Sequence, residues 1–232
     1  MKQRKLLVTG CSRGIGLAIT RRLLADGYRV IGISRLSPGI DSARFTHMEV
    51  DLSNLDRLPD TLRELSKQHP DIDAVVLNAG SGRFGSLEEF SASQIRQLVD
   101  LNLTSQVLLA REFLPILKKR GGGDLVFIGS ESALRGGRYG TVYAATKFGL
   151  RGLVQALQEE CSTSSVRVGI VNPGMVNTSF FDDLDFRPGD EEDQHLVPDD
   201  VVAAVLLMLD ARPGAVVQEI NLQPQKRVIR FD

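Results

Sequence analysis

Three side chains in the second half of the chain could together exchange a proton with a substrate. Tyr143 and Lys147 are four positions apart, so a helix would place both on one face. A free phenol has a pKa of about 10 and is a poor acid near neutral pH. A fixed ammonium group favours the phenolate and is expected to lower the pKa of Tyr143. With Ser130 able to hydrogen-bond a substrate oxygen, the set predicts acid–base chemistry at a carbonyl or alcohol.

A glycine-rich turn near the start of the chain strengthens this interpretation, because a tyrosine and a lysine at this spacing are common by chance. The turn lies between an apolar run ending at Val8 and a helical pattern beginning at Ile15. Glycines let backbone N–H groups approach a pyrophosphate at a helix N-terminus, where the helix dipole favours anions. The spacing differs from G-x-G-x-x-G, but the position in the first β-α unit favours nucleotide binding. The predicted contacts are Gly10, Ser12, Arg13, Gly14, Ile15 and Gly16.

The same turn also contains a G-x-S-x-G sequence, which is typical of the nucleophile elbow of serine hydrolases. In that alternative Ser12 is the nucleophile and needs an acid and a histidine downstream. The chain has three histidines, His47, His69 and His195, and only His195 lies in a late loop. An elbow also follows a central strand, whereas this one follows the first. The hydrolase is therefore the less favoured interpretation.

The second predicted strand indicates which nicotinamide dinucleotide binds. NAD-binding chains usually place an acid about 20 residues after the glycines, where it meets the ribose 2′-hydroxyl. Here Ser34 occupies that place and Arg35 follows it, with Arg13 nearby in the turn. An acid would repel a 2′-phosphate, whereas guanidinium groups bind it through paired hydrogen bonds. The sequence therefore favours NADP over NAD.

Short apolar runs alternate with helical patterns along the whole chain, which is typical of a parallel sheet with helices on both faces. We expect one α/β domain over residues 1–232, a Rossmann-type doubly wound parallel sheet of about seven strands. Ser91 and Gln94 could form a capping box that opens a long helix towards Lys119, and another helix starts at Pro198. The predicted strands are Lys5–Thr9, Arg29–Ile33, Thr46–Val50, Ala74–Leu77, Asp124–Ile128, Val166–Val171 and Glu219–Leu222.

Composition narrows the class of protein. The formal net charge of −1 over 232 residues argues against a nucleic-acid partner, which would need a basic surplus. The longest apolar stretch, the nine residues from Val201 to Leu209, is well below the ~20 that a membrane span needs. The apolar run Leu6–Val8 is too short for a signal peptide. Two cysteines give no disulfide framework, so we expect a cytoplasmic protein with no membrane partner.

Motifs along nearly the whole chain, from Lys5 to about Pro224, resemble the short-chain dehydrogenase/reductase family in its ordinary-length branch. They are the Thr9–Gly16 turn, Asp51-Leu52, Asn78-Ala79-Gly80, Asn102, Ser130, Tyr143 with Lys147, and Asn172-Pro173-Gly174 with Thr178. The resemblance implies an oxidoreductase that moves a hydride between a nicotinamide and a small carbonyl or alcohol substrate.

The resemblance also implies a role for each matched residue. Asn102, Ser130, Tyr143 and Lys147 would form the catalytic set, with Asn102 holding a water that links Lys147 to solvent. Further cofactor contacts would come from Ser34, Arg35, Asp51, Leu52, Asn78, Ala79, Gly80, Tyr143, Lys147, Pro173, Gly174, Val176 and Thr178. No metal site is expected.

Three questions stay open at this point. Family members usually form dimers or tetramers through helices that include the one bearing the tyrosine, so a homodimer or homotetramer is expected. A dinucleotide sensor that keeps the fold without turnover is an alternative, although an intact catalytic set speaks against it. Residues 175–197, which hold Phe180, Phe181, Phe186 and seven acidic residues, are expected to form the substrate-binding loop, with the acids in solvent.

Overall fold

The fold is organised around one seven-stranded parallel sheet. The computed structural model describes residues 4–231. Its strands are β1 Lys5–Thr9, β2 Arg29–Ser34, β3 Phe45–Glu49, β4 Ala74–Leu77, β5 Gly123–Ile128, β6 Val166–Pro173, β7 Phe186–Pro188, β8 Glu219–Leu222 and β9 Ile229–Phe231. The sheet has the order β3-β2-β1-β4-β5-β6-β8, and every pairing in it is parallel. The predicted doubly wound fold is confirmed, with strand ends shifted by one or two residues.

Helices cover both faces of the sheet. They are α1 Gly14–Ala25, α2 Leu58–Gln68, α3 Ala92–Val99, α4 Ser105–Lys119, α5 Thr141–Cys161 and α6 Pro198–Leu209. Side chains of α2, α4 and α5 pack in one apolar core, and those of α1 and α6 pack in the other. Among residues 4–231, no helix combines the length and the apolar character needed to cross a bilayer.

The long helix expected from Ser91 to Lys119 is present but contains one wide turn. The Ser91 hydroxyl accepts from the backbone N–H of Gln94, whose side-chain oxygen accepts from the N–H of Ser91, so the capping box forms as predicted. Between α3 and α4, Asp100–Thr104 form a π-helical turn that contains Asn102. Such turns occur often at functional sites, because the extra residue redirects a side chain.

A second, two-stranded sheet was not predicted. β7 lies inside the loop expected at residues 175–197 and pairs antiparallel with β9 near the chain's end. Both strands are only three residues long, too short to show a two-residue periodicity.

The carboxyl ends of four adjacent strands gather the candidate site. β1 ends before Gly10, β4 before Asn78, β5 before Gly129 and Ser130, and β6 before Gly174. β2 lies on one side of β1 and β4 on the other, so the direction in which successive strands are added to the sheet reverses between β1 and β4. Ligands of open α/β sheets bind in the crevice at this point.

Candidate active site

The glycine turn is too tight for larger residues. Gly10 has a φ of +69°, which strongly favours glycine. A Cβ added to Gly16 would collide with the carbonyl of Gly10, so the first turn of α1 packs directly on the end of β1. The backbone at the start of α1 is therefore free to approach a phosphate, as a dinucleotide requires.

Thr9 and Asn78 fix the turn against the neighbouring strand. The Thr9 hydroxyl accepts hydrogen bonds from the backbone N–H groups of Asn78 and Ala79, both at 3.0 Å. The Asn78 amide donates to the carbonyls of Thr9 and Gly10 at 3.0 and 3.3 Å. The ends of β1 and β4 thus form one rigid edge, and Gly80 follows it.

Of the three residues predicted to lie near the cofactor 2′-phosphate, only the two arginines point to solvent as expected. Arg13 and Arg35 are exposed, and neither guanidinium makes a hydrogen bond or ion pair with any residue between 4 and 231. Ser34 instead turns inward, where its hydroxyl donates to the Leu36 carbonyl at 2.7 Å and lies 3.0 Å from His47 Nε2. The Ser34 hydroxyl is thus engaged within the protein, while the two arginines remain accessible.

Asp51 and Leu52, which were expected to flank the adenine, follow β3. The pKa of Asp51 is lowered chiefly by the hydrogen bond from the Ser53 hydroxyl, with a smaller contribution from the charge of Arg35. Asp51 is exposed, whereas Leu52 is buried.

Tyr143, Lys147 and Ser130 come together in the structure. Tyr143 and Lys147 lie on one face of α5, with Lys147 Nζ 5.7 Å from the centroid of the Tyr143 ring. Ser130 follows β5, and its hydroxyl lies close enough to the Tyr143 phenol to lower the pKa of that group. The Lys147 ammonium donates to the carbonyl of Ile128 at 3.2 Å. A Cβ added to Gly80 would lie 3.7 Å from Lys147 Nζ, so the segment after β4 passes beside the ammonium group.

The pKa of Tyr143 moves in the opposite direction to the one expected from its sequence. Burial raises this pKa to about 12; the neighbouring Ser130 hydroxyl opposes the rise, and the Glu131 carboxylate adds to it. Burial also lowers the pKa of Lys147 to about 8. Only 7% of Tyr143 and 6% of Lys147 is exposed, so the loss of water around both groups outweighs their mutual effect.

Asn102 connects the π-helical turn to the loop after β4. Its side-chain oxygen accepts from the Ser81 N–H, and its amide donates to the Ser81 carbonyl, both at 2.9 Å. The amide also lies 3.3 Å from the Thr146 hydroxyl on α5. Asn102 therefore ties together the segments that surround Lys147.

The segment after β6 crosses in front of the glycine turn. Pro173 ends β6, and the Gly174 N–H donates to the Leu222 carbonyl at 2.8 Å. Val176 is buried and bridges to Leu196. A Cβ added to Gly14 would lie 3.6 Å from the Cβ of Thr178. The expected contacts from Pro173 to Thr178 thus border the same crevice as the glycines.

The histidines do not support a hydrolase centred on Ser12. His47 contacts Ser34, His69 Nδ1 lies 3.0 Å from Lys5 Nζ, and His195 Nδ1 lies 2.9 Å from the carbonyl of Gly189. Each imidazole is engaged with a group other than Ser12, so the residues of a catalytic triad are not brought together.

Comparison with known proteins agrees with this geometry. A family model described as short chain dehydrogenase matches residues 4–187. The chain belongs to the short-chain dehydrogenase family. It is therefore an NAD(P)-dependent oxidoreductase with a Rossmann-like sheet.

Relatives of this short-chain dehydrogenase include enzymes with different substrates. A 3-oxoacyl-[acyl-carrier-protein] reductase from Mycobacterium tuberculosis is 30% identical over 79% of the chain and 74% of its own length. Dehydrogenase/reductase SDR family member 11 from Mus musculus is 29% identical over 98% of the chain and 96% of its own length. The solved alcohol dehydrogenase from the archaeon Thermococcus sibiricus, complexed with 5-hydroxy-NADP, is 29% identical with a TM-score of 0.84, covering 98% and 99% of the two chains.

Several residues around this dehydrogenase's site were not singled out from the sequence. Thr146 supports Asn102, and Ser81 holds it from the other side. Phe84 lies against Tyr143 with 5.2 Å between ring centroids. Thr146 stands inside the tyrosine–lysine motif, where its spacing from Tyr143 could have indicated it, but Phe84 lies in a loop without periodicity.

Proposed function

We propose that this short-chain dehydrogenase is an NADP-preferring carbonyl reductase or alcohol dehydrogenase in which Tyr143 is the general acid and base. The observation that carries the proposal is the buried group of Tyr143, Ser130 and Lys147 at the carboxyl edge of the sheet, beside the glycine turn. A neutral phenol held there can donate its proton to a carbonyl oxygen, or accept one in the reverse direction.

Each neighbouring residue then has a defined task. The Ser130 hydroxyl orients the substrate oxygen towards the phenol, and the Lys147 ammonium stabilises developing phenolate charge. Asn102 positions the loop beside Lys147 and would hold the water that returns its proton. NADPH, when bound, would supply the hydride for the carbonyl carbon. The backbone from Gly10 to Gly16 would bind its pyrophosphate, and residues 173–178 would border the nicotinamide.

The preference for NADP rests on Arg13 and Arg35. Both guanidinium groups are exposed, Arg13 after the end of β1 and Arg35 after the end of β2. The positive charge of Arg35 also lowers the pKa of the nearby Asp51 carboxyl group. Two accessible cations suit a 2′-phosphate better than a 2′-hydroxyl.

The assembly and the compartment belong to the same proposal. We expect a homodimer or homotetramer formed through α4 and α5, since Val107 and Phe148 on these helices are large apolar side chains exposed to solvent. Light scattering coupled to gel filtration measures the mass directly. Cys11 and Cys161 are both free and buried, which suits a reducing cytoplasm.

A screen of NADPH oxidation against diverse aldehydes and ketones tests the proposed reaction. On the best substrate, Tyr143→Phe should lower kcat by roughly 10²- to 10⁴-fold, because the proton donor is lost while the ring remains. Tyr28→Phe removes a distant phenol and is the matched control. Wild-type turnover in Tyr143→Phe would refute the mechanism, and NADPH binding without oxidation of any carbonyl would favour the sensor.

A further inference from the structure

A cluster of phenylalanines covers the proposed proton donor. We call it the phenyl cluster, and it consists of Phe84, Phe180, Phe181, Phe186 and Phe231. Tyr143 is in contact with two of its rings, Phe84 at 5.2 Å and Phe180 at 6.2 Å between centroids. Phe186 packs edge-on against Phe84 at 4.9 Å and Phe181 against Phe180 at 5.2 Å. The rings thus form a continuous apolar surface over the phenol.

Both rings that touch Tyr143 rest on glycine backbone. A Cβ added to Gly82 would collide with the Phe180 ring, and one added to Gly140 would lie 3.5 Å from the Phe84 ring. The Gly85 N–H donates to the carbonyl of Tyr139 at 2.9 Å, which holds the segment bearing Phe84 against the start of α5. The absence of side chains at these glycines lets the rings approach the reacting group.

A substrate at the Tyr143 hydroxyl must lie beside these rings. Only 7% of Tyr143 is exposed, and Phe84 and Phe180 contact its ring, so a carbonyl group at the phenol brings the rest of the substrate against one or both of them. The surface that the substrate meets there consists of ring faces and edges. A flat apolar group makes aromatic contacts with that surface, whereas a polar group leaves it without a partner.

The charges near the cluster disfavour an anionic substrate. The Glu131 carboxylate is close enough to Tyr143 to act on it electrostatically. Asp182, Asp183 and Asp185, next to Phe181 in the chain, are exposed. An anionic group arriving at the phenol would meet the Glu131 carboxylate, and the exposed acids beside Phe181 add negative charge to the loop that carries the cluster, so an uncharged substrate is favoured.

We propose that the substrate is an uncharged ketone or aldehyde carrying an aromatic ring, and that Phe84 and Phe180 select this ring by packing against it beside Tyr143. The inference rests on the proposed function and specifies the substrate class of the same site. Phe84 and Phe180 are specificity-determining residues, while proton transfer stays with Tyr143.

Three probes of similar size test the selection: acetophenone, its saturated analogue cyclohexyl methyl ketone, and the aromatic keto acid phenylglyoxylate. The wild-type kcat/KM for acetophenone should exceed that for cyclohexyl methyl ketone by about threefold to tenfold, as expected for one or two aromatic contacts. Phenylglyoxylate should be the poorest of the three. Phe84→Leu and Phe180→Leu should bring the ratio of the first two close to one.

Phe90→Leu is the matched control, because Phe90 lies six positions after Phe84 and makes none of the ring contacts with Tyr143. Its ratio should equal that of the wild type, and thermal unfolding should show that all three variants fold. A wild-type ratio of one or below, or a preference for the keto acid, would overturn the aromatic selection while leaving the proposed reaction intact.

A binding measurement separates the two proposals if no carbonyl is reduced. Saturation-transfer NMR on the NADPH complex should then detect acetophenone bound to the wild type and to Phe90→Leu, with the signal weakened in Phe84→Leu and Phe180→Leu. That outcome would support the phenyl cluster and reject the reaction. No difference between the variants would reject the selection as well.

Discussion

Lys147 is an ammonium group placed where burial works against its charge. Its Nζ donates to the Ile128 carbonyl and lies near the Tyr143 ring, yet burial lowers its pKa from 10.5 to about 8. A lysine in the unfolded chain keeps its proton to higher pH. Between these two values the unfolded state binds more protons, so raising the pH stabilises the folded state.

The lower pKa of Lys147 in the folded state predicts that this one residue makes the free energy of unfolding depend on pH. The free energy of unfolding of the wild type, minus that of Lys147→Met, should rise by ~2 kcal/mol between about pH 8 and pH 9.5. The gain should disappear as the pH falls below 8. Urea unfolding without added cofactor measures it, and the exposed Lys118→Met should show no such trend. A constant difference across this window would mean that Lys147 keeps its ordinary pKa.

Arg13 and Arg35 carry a second prediction at the same scale. If their guanidinium groups bind the 2′-phosphate, Arg35→Ala should weaken NADPH binding by roughly 10- to 100-fold, the usual range for hydrogen bonds to a charged group. NADH binding should change little, and Arg13→Ala should act in the same direction. Isothermal titration with both cofactors measures the ratio, and the exposed Arg21→Ala, on the helix that follows Arg13, serves as the control. Equal losses for NADPH and NADH would exclude a 2′-phosphate contact.

Among the elements, the loop expected at residues 175–197 is more ordered than its composition indicated. β7 pairs with β9, the Gly189 N–H donates to the Val228 carbonyl, and the Lys226 ammonium pairs with Asp193 at 2.6 Å. Asp190 pairs with both Arg187 and Arg230. The acids were expected to lie in solvent, and most are exposed, but two of them also tie the loop to the end of the chain.

Removing residues 227–232 should therefore release the substrate loop without unfolding the sheet. Loss of β9 removes the strand pairing and the Arg230–Asp190 ion pair, so proteolysis between residues 180 and 190 should become several-fold faster. The KM for the carbonyl should rise, because the phenyl cluster loses Phe231. Cleavage in the 36–43 loop provides an internal control and should keep its rate. Unchanged protection of the substrate loop would show that β9 does not hold it.

At the scale of the whole molecule, the sequence predicted the strands and helices that show a periodic pattern and the site residues that belong to a motif. The five inner strands of the main sheet are mostly buried apolar runs, whereas the edge strands β3 and β8 are only partly buried. The chemistry-bearing residues follow strands β1, β4, β5 and β6, so the crevice could be inferred. The phenyl cluster could not, because Phe84, Phe180 and Phe231 come from three separate segments without periodicity. The direction of the pKa shift of Tyr143 could not be predicted either, since it depends on how deeply the phenol is buried in the folded protein.

The edge of the sheet opposite the active site is held by one buried carboxylate. Asp124, at the start of β5, is 2% exposed and pairs with Arg4 before β1 and with Arg167 on β6, whose Nε lies 2.6 Å from Asp124 Oδ1. Both guanidinium groups also donate to the carbonyl of Leu209 at the end of α6. One carboxylate thus links three strands and a helix.

Asp124→Asn should lower the free energy of unfolding by about 3 kcal/mol, because it leaves two partly buried cations without their anion. For a chain of this length that corresponds to a fall in Tm of roughly 6–12 °C. Asp60→Asn is the matched control, since Asp60 is 76% exposed and its ion pair with Arg63 lies within one helix. The control should change Tm by less than about 2 °C. Since Asp124 lies at the far end of the sheet, the kcat of folded Asp124→Asn at low temperature should match the wild type. Equal changes in Tm for the two variants would show that the buried network contributes no more than a surface pair.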